Sequence, residues 1–275
     1  FAATDLLVAT HCENTPMILE AEAAAAAKYG EDIPFSEHPN IRSEDACYAS
    51  SSLAVGLAKK YGTKLHVLHL TTAKEMELFE TGPLENKRIT AEACVHHLFF
   101  SVEDYEQRGA FIKCNPAIKS AADRAALLKA VAEDRIDVIA TDHAPHTLDE
   151  KSRKYAGAPA GLPLVQHALV SLMERVADGT FSIEQMVRKT SHAPAILYQV
   201  AERGFLREGY FADFTLISEN PTGAEEPVLS KCGWSPFSGY PFKHRIAGTW
   251  VNGHQRYDGR QVLDGPYGQA LRYQR

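Results

Sequence analysis

The residues best suited to chemistry stand in three short clusters far apart in the chain. Val138-Ile139-Ala140-Thr141-Asp142-His143-Ala144-Pro145-His146 joins an apolar run to one carboxylate and two imidazoles. His11-Cys12-Glu13-Asn14 closes the run that begins at Asp5, and His69 lies in the run Leu65 to Leu70. Imidazoles and a carboxylate together suit a divalent ion such as Zn²⁺. An ion held in this way lowers the pKa of its bound water to about 7. Asp142 is then the group to take the proton from that water and return it to a leaving nitrogen.

For this chemistry the clusters must meet in space. Apolar runs at residues 5–11, 65–70, 88–94 and 136–140 lack helical spacing and read as strands, three of them ending in His or Asp. Helices are expected between them. Pro16 opens residues 17–29, Ser43 begins a helix that stops at Gly62, Thr71 and Thr72 cap residues 73–80, and Ser120 caps residues 121–133. Strands alternating with helices predict parallel βαβ units, whose strand carboxyl ends share one rim. An α/β fold follows, with residues 1–204 as the C-terminal half of a (β/α)8 TIM-type barrel, since a closed barrel needs eight strands. Helices are further expected at 162–177, at 182–189, and from Ser191 to about Arg203. From residue 205 to 275 short alternating runs and the hairpin cue Asn252-Gly253 predict a small β-sandwich-like tail.

Other histidines and cysteines are assigned structural roles. His66 points away from the face of His69, and His192 belongs to a helix start. His96 and His97 are adjacent, so in extended chain at most one faces a site. Cys12 and Cys114 lack metal-ligand spacing and read as small buried hydrophobes.

The 275 residues carry a formal net charge of −6 and no basic block, which excludes a nucleic-acid partner from the reading. No apolar run is long enough for a membrane span. Five scattered cysteines suit a reducing, cytoplasmic setting. A small-molecule substrate is the expected partner, with a homodimer left open. The first residue is Phe1 rather than Met, so the chain is expected to be part of a longer product.

Five motifs occur in order: His11-Cys12-Glu13, His69-Leu70-Thr71-Thr72-Ala73-Lys74-Glu75, His96-His97-Leu98, Asn115-Pro116, and Thr141-Asp142-His143-Ala144-Pro145-His146. From about residue 5 to 165 this set resembles the dihydroorotases of the amidohydrolase superfamily, and the tail is similar to that family's returning β-sandwich strands. The resemblance implies two Zn²⁺ ions per full-length active site. His11 and His69 would ligate the more exposed metal; Asp142 would ligate the other and act as acid and base. Asn115 and His146 would bind the substrate, with backbone groups of Ala160 and Gly161 near its ring. The implied reaction is the reversible interconversion of N-carbamoyl-L-aspartate and dihydroorotate in pyrimidine biosynthesis.

Two local departures concern substrate detail. The family often has Asn-Pro-Pro-Leu-Arg where this chain has Asn115-Pro116-Ala117-Ile118-Lys119, and Gly-x-Pro-Gly where it has Gly157-Ala158-Pro159-Ala160-Gly161. A lysine does not replace a bidentate arginine. The family's His-x-His and bridging carboxylate, a carbamylated lysine or an aspartate, have no counterpart and are expected from an earlier half. The isolated chain is therefore expected to be inactive and poorly stable. Two other readings stand beside this one: a hydantoinase- or allantoinase-type cyclic amidohydrolase, and a catalytically dead homologue acting as a scaffold or subunit.

Overall fold

The computed structural model describes residues 1–265 and 268–274. Four short strands, β1 (Val8–Thr10), β2 (Leu65–Val67), β3 (Ile89–Cys94) and β4 (Val138–Ala140), form one sheet in the order β1-β2-β3-β4. Every pairing is parallel, with Val8 opposite Leu65, Leu65 opposite Ile89, and Glu92 opposite Val138. The strands are shorter than the apolar runs that predict them. Buried Val67, Ala91, Ala93, Cys94 and Val138 place the sheet in the core.

Three of the helices between the strands start and stop where the sequence marks them. In α1 (Thr15–Tyr29) the side chain of Asn14 accepts the Met17 N–H, Pro16 occupies the first turn, and Gly30 ends the helix at φ +63°. In α2 (Glu44–Tyr61) Ser43 caps the N-terminus, Glu44 and Asp45 lie in the first turn, and Lys59 and Lys60 lie in the last. Both charge placements favour the helix dipole. Helix α3 (Ala121–Ala132) begins in a reciprocal capping box of Ser120 and Asp123.

Three expected helices come out differently. Residues 73–80 contain only a 3₁₀ turn, Lys74–Leu78. Residues 162–177 become a 3₁₀ turn, Val165–His167, followed by α4 (Ala168–Ala177), and the N–H groups of Leu164 and Val165 donate to the ring of His143 at its start. The helix from Ser191 stops at Leu197, beyond which Gln199, Glu202 and Gly204 all have positive φ. Gly204 is required there: a Cβ would lie 2.4 Å from Ala195 Cβ and 2.8 Å from Ser191 O. His192 ends a π-helical turn, Arg188–His192, and stacks on Phe205 with ring centroids 4.2 Å apart.

The tail forms an antiparallel sheet of β5 (Phe214–Glu219), β6 (His244–Val251) and β7 (His254–Tyr257), in that order. Asn252 and Gly253 turn β6 into β7 with φ of +53° and +80°, as a two-residue hairpin demands. The chain divides into two compact units, Phe1–Ala168 with Pro227–Ser238, and Leu169–Glu226 with Gly239–Arg275. Among the described residues no helix is long and apolar enough to cross a membrane.

Candidate active site

The carboxyl ends of the parallel strands present the expected side chains. His11 directly follows β1, His69 lies two residues beyond β2, and Asp142 two residues beyond β4. His69 and Asp142 both adopt positive φ, +37° and +50°, which is uncommon outside glycine. At each of these positions the chain leaves its strand abruptly. The backbone N–H of His69 donates to Glu92 Oε1 at 3.3 Å, and Leu70 N–H donates to Glu92 O at 2.8 Å, which pins this turn to β3.

His11 and His69 meet. Nδ1 of His11 lies 3.1 Å from Nε2 of His69, with the rings edge-on and their centroids 4.8 Å apart. The other nitrogen of His11, Nε2, donates to Glu13 Oε2 at 3.1 Å, and Arg42 pairs with the same carboxylate oxygen. Burial pushes the Glu13 carboxyl up, but the hydrogen bond from His11 and the charge of Arg42 outweigh it and leave Glu13 below its ordinary pKa. A proton fixed on Nε2 leaves Nδ1 of His11 with its lone pair turned toward His69. Burial and the neighbouring His11 lower the pKa of His69, against the opposing fields of Asp142 and Glu92, so its imidazole favours the neutral form.

This arrangement fits a divalent ion. Two imidazole nitrogens on one tetrahedral Zn²⁺ stand about 3.3 Å apart, close to the separation of His11 and His69. His69 Nδ1, the ring nitrogen on the side away from His11, is buried without a hydrogen-bond partner among the described residues. Asp142 is exposed and its charge reaches His69, but among the described residues its carboxylate does not join His11 and His69 in a group with all ligand atoms within 4.8 Å of one another.

The residues expected to bind substrate form a second group. The isolated parallel bridge between His143 and Leu162 brings the Asp142 turn beside Gly161. At φ +146°, Gly161 packs so closely that a Cβ would lie 2.6 Å from Ala144 O and 2.9 Å from His146 Cδ2. Its N–H donates to Lys113 O at 2.9 Å, and its carbonyl accepts from Lys151 Nζ at 3.1 Å. Both backbone groups of Gly161 thus have protein partners, and Ala160 before it is half-buried. The His146 carbonyl accepts the Trp234 indole N–H at 2.7 Å.

Asn115 is braced from both sides by histidines. His38 Nε2 donates to the Cys114 carbonyl at 2.8 Å, while His38 Nδ1 pairs with the Tyr155 hydroxyl at 2.8 Å. His97 Nε2 donates to the Pro116 carbonyl at 3.0 Å. Asn115 Oδ1 is buried and has no hydrogen-bond partner among the described residues.

Beneath residues 157–161 lie two buried lysines. Lys113 Nζ donates to Tyr155 O and Ala158 O, at 2.6 and 2.7 Å. Lys151 Nζ donates to Lys113 O, Pro159 O and Gly161 O, at 3.3, 2.9 and 3.1 Å. Burial lowers both ammonium groups to about 8, which leaves them mainly charged at neutral pH.

Several structural assignments correspond to what the sequence suggests. His66 is fully buried, with Nδ1 2.8 Å from Thr90 Oγ1 and Nε2 3.3 Å from Glu92. Cys12 and Cys114 are buried, and burial raises both thiols, Cys114 to about 12, which favours the inert thiol form. The expectation for His96 and His97 needs correction. Strand β3 ends at Cys94 and a tight turn follows, so the two rings lie side by side with centroids 4.0 Å apart rather than on opposite faces.

Glu13 and His143 lie inside the expected motifs but were given no role from the sequence, and Arg42 and His38 were not singled out at all. Glu13 carried a signal, because residues two apart in extended chain share a face. Arg42, from a separate segment, carried none.

The sequence profile of the amidohydrolase family matches residues 2–256. This chain belongs to the amidohydrolase family. Among relatives of this amidohydrolase, an allantoinase from Bacillus velezensis is 30% identical over 276 residues, covering 98% of this chain and 60% of the relative. A dihydroorotase from Halobacterium salinarum is 32% identical over 272 residues, covering 95% and 61%. The amidohydrolase also shares its fold with the L-hydantoinase of Arthrobacter aurescens, at a TM-score of 0.88 and 23% identity over 98% of this chain and 61% of that one. It therefore spans about three fifths of the length of the proteins it matches.

Proposed function

We propose that this amidohydrolase belongs to a metal-dependent enzyme that opens and closes a cyclic amide, with dihydroorotate and N-carbamoyl-L-aspartate as the substrate pair. The observation that carries the reading is the approach of His11 Nδ1 to His69 Nε2 at 3.1 Å, with Glu13 fixing the tautomer of His11. In this reading β1 to β4 are half of a (β/α)8 barrel, and residues 205–275 contribute strands to a β-sandwich. His11 and His69 would hold one zinc ion and Asp142 a second. Such ions, when bound, make water acidic and polarise the amide carbonyl.

The protein's own groups complete the reaction. In the hydrolytic direction a C–O bond forms at the ring carbonyl while its C–N bond breaks. Asp142 takes the proton of the attacking water and delivers it to the departing nitrogen; in the closing direction the same carboxyl works in reverse. Asn115 Oδ1, buried and without a partner among the described residues, is suited to accept a ring N–H, whose pairing offsets the cost of leaving that oxygen unmatched. His146, placed against Gly161, donates to the substrate carboxylate. The ammonium groups of Lys113 and Lys151 hydrogen-bond to neutral carbonyls, and their positive potential favours an anionic ring over a neutral one.

A second reading has its own support. The allantoinase of Bacillus velezensis matches nearly the whole chain, and Lys119 stands where the dihydroorotase pattern has arginine. An allantoin or hydantoin ring is therefore the competing substrate. Four of the five thiols are buried and all five are free, which suits action in the reducing cytoplasm.

The test is made on the full product of the gene, loaded with zinc and offered dihydroorotate, allantoin and hydantoin. Turnover of dihydroorotate is expected, with Asp142→Asn lowering kcat by roughly 10²–10⁴-fold. Turnover of allantoin or hydantoin without dihydroorotate would transfer the assignment to the second reading. No turnover of any cyclic amide would leave the chain as a non-catalytic homologue.

A further inference from the structure

We infer that the carboxyl end of β3 is a separate metal site, built from Cys94, His96 and His97, for a thiophilic divalent ion of the zinc class. It differs from the site proposed above in its donors, because it contains a thiolate and no carboxylate.

The backbone creates the cluster. The Cys94 carbonyl accepts the N–H groups of His97 and Leu98 at 3.0 and 3.2 Å, and the His96 carbonyl accepts that of Phe100 at 2.9 Å. This tight turn brings side chains 94, 96 and 97 together, where extended chain would spread them. One ligand atom from each of the three lies within 4.8 Å of the others. Cys94, His96 and His97 are 0%, 1% and 3% exposed.

The hydrogen-bond pattern is the independent sign of a ligand. Both ring nitrogens of His96, and Nδ1 of His97, are buried without a partner among the described residues. Buried polar atoms are nearly always paired, and such exceptions call for an explanation. His97 shows the arrangement typical of a metal-bound histidine: Nε2 gives its proton to the Pro116 carbonyl at 3.0 Å, so Nδ1 keeps its lone pair for an ion.

One thiolate and two imidazoles form a donor set that selects zinc over the hard cations magnesium and calcium. The edges of a tetrahedral zinc site with these ligands are about 3.3–3.6 Å, so a pair at the 4.8 Å limit draws in by about an ångström on binding. The Cys94 thiol gives up its proton to solvent as the sulfur–metal bond forms. A solvent molecule completes the fourth position.

Cobalt(II) tests this, because a thiolate ligand adds a near-ultraviolet charge-transfer band that nitrogen and oxygen ligands do not produce. The protein is stripped with a chelator and titrated with Co²⁺. One equivalent is expected to develop the band, and Cys94→Ser is expected to abolish it, while Cys12→Ser and Cys114→Ser retain it. Absence of the band in the unsubstituted protein overturns the proposal and needs no variant to fold. A band lost with Cys12 or Cys114 instead of Cys94 overturns it equally. The visible cobalt bands of a site at His11 and His69 carry no sulfur contribution, so success or failure at either site is read separately.

Discussion

His11 Nδ1 and His69 Nε2 face each other at 3.1 Å although 58 residues separate them in the chain. Parallel pairing of β1 with β2 brings the two strand ends together, and Glu13 turns the first ring toward the second. The Glu13 side chain is 2% exposed and also pairs with Arg42, so its orientation is fixed from two sides.

Glu13 should therefore control metal affinity without touching the metal. Loss of a carboxylate that orients a histidine ligand typically weakens binding by about 10–100-fold. Glu13→Ala is expected to fall in that range when Zn²⁺ binding is measured by competition calorimetry. Glu13→Gln, which still offers an oxygen to His11 Nε2, should lose less. Unchanged affinity in both variants would remove Glu13 from the site.

Gly161→Ala tests the close packing around His146. The added methyl would enter the space of Ala144 O and His146 Cδ2. Overpacking of this kind costs about 1–3 kcal/mol, and the positive φ adds strain. Displacement of the His146 ring is expected to raise KM of the full gene product more than it lowers kcat. A variant with wild-type KM and thermal stability would show that the loop yields freely.

The parallel frame was readable because its signals are local. Asn14, Ser43 and Ser120 cap helices that begin within two residues of expectation, and Asn252-Gly253 makes the hairpin it announces. Strand ends followed by histidine were likewise visible, since apolar runs mark strands whatever their partners. Interactions between distant segments left no such mark. Nothing near Arg42 announces Glu13, and nothing in Leu164 announces that His143 will take its N–H. His96 and His97 were misjudged for a related reason: the strand ends at Cys94 as expected, but the period-two rule of extended chain was carried past it into a tight turn.

Lys151 is expected to hold the loop at residues 159–161 in place. Its ammonium joins three carbonyls, and hydrogen bonds to a charged group contribute about 1.5–3 kcal/mol each. Lys151→Met leaves Pro159 O and Gly161 O without this donor. Faster amide exchange across residues 157–161 is the expected readout, together with a higher KM for an anionic substrate than for a neutral one. Equal effects on both substrate types would confine Lys151 to a mechanical role.

His38 makes the fold sensitive to acid. Burial, with smaller contributions from nearby Lys113, Arg42 and Lys119, pushes its pKa down from 6.5 to about 3. Below the unfolded value the unfolded chain binds a proton that the folded protein refuses, so stability falls as pH drops from about 6.5 toward 3 and is retained above that window. At pH 5 the penalty is about 2 kcal/mol, from about 1.4 kcal/mol for each unit of difference between the two states. Both ring nitrogens of His38 are engaged, one with Tyr155 and one with the Cys114 carbonyl, so protonation would force Nδ1 to become a second donor. Denaturant unfolding at pH 7 and pH 5 should show the protein losing about that much more stability than His38→Gln, which cannot titrate there. Parallel losses in the two proteins would place the acid sensitivity elsewhere.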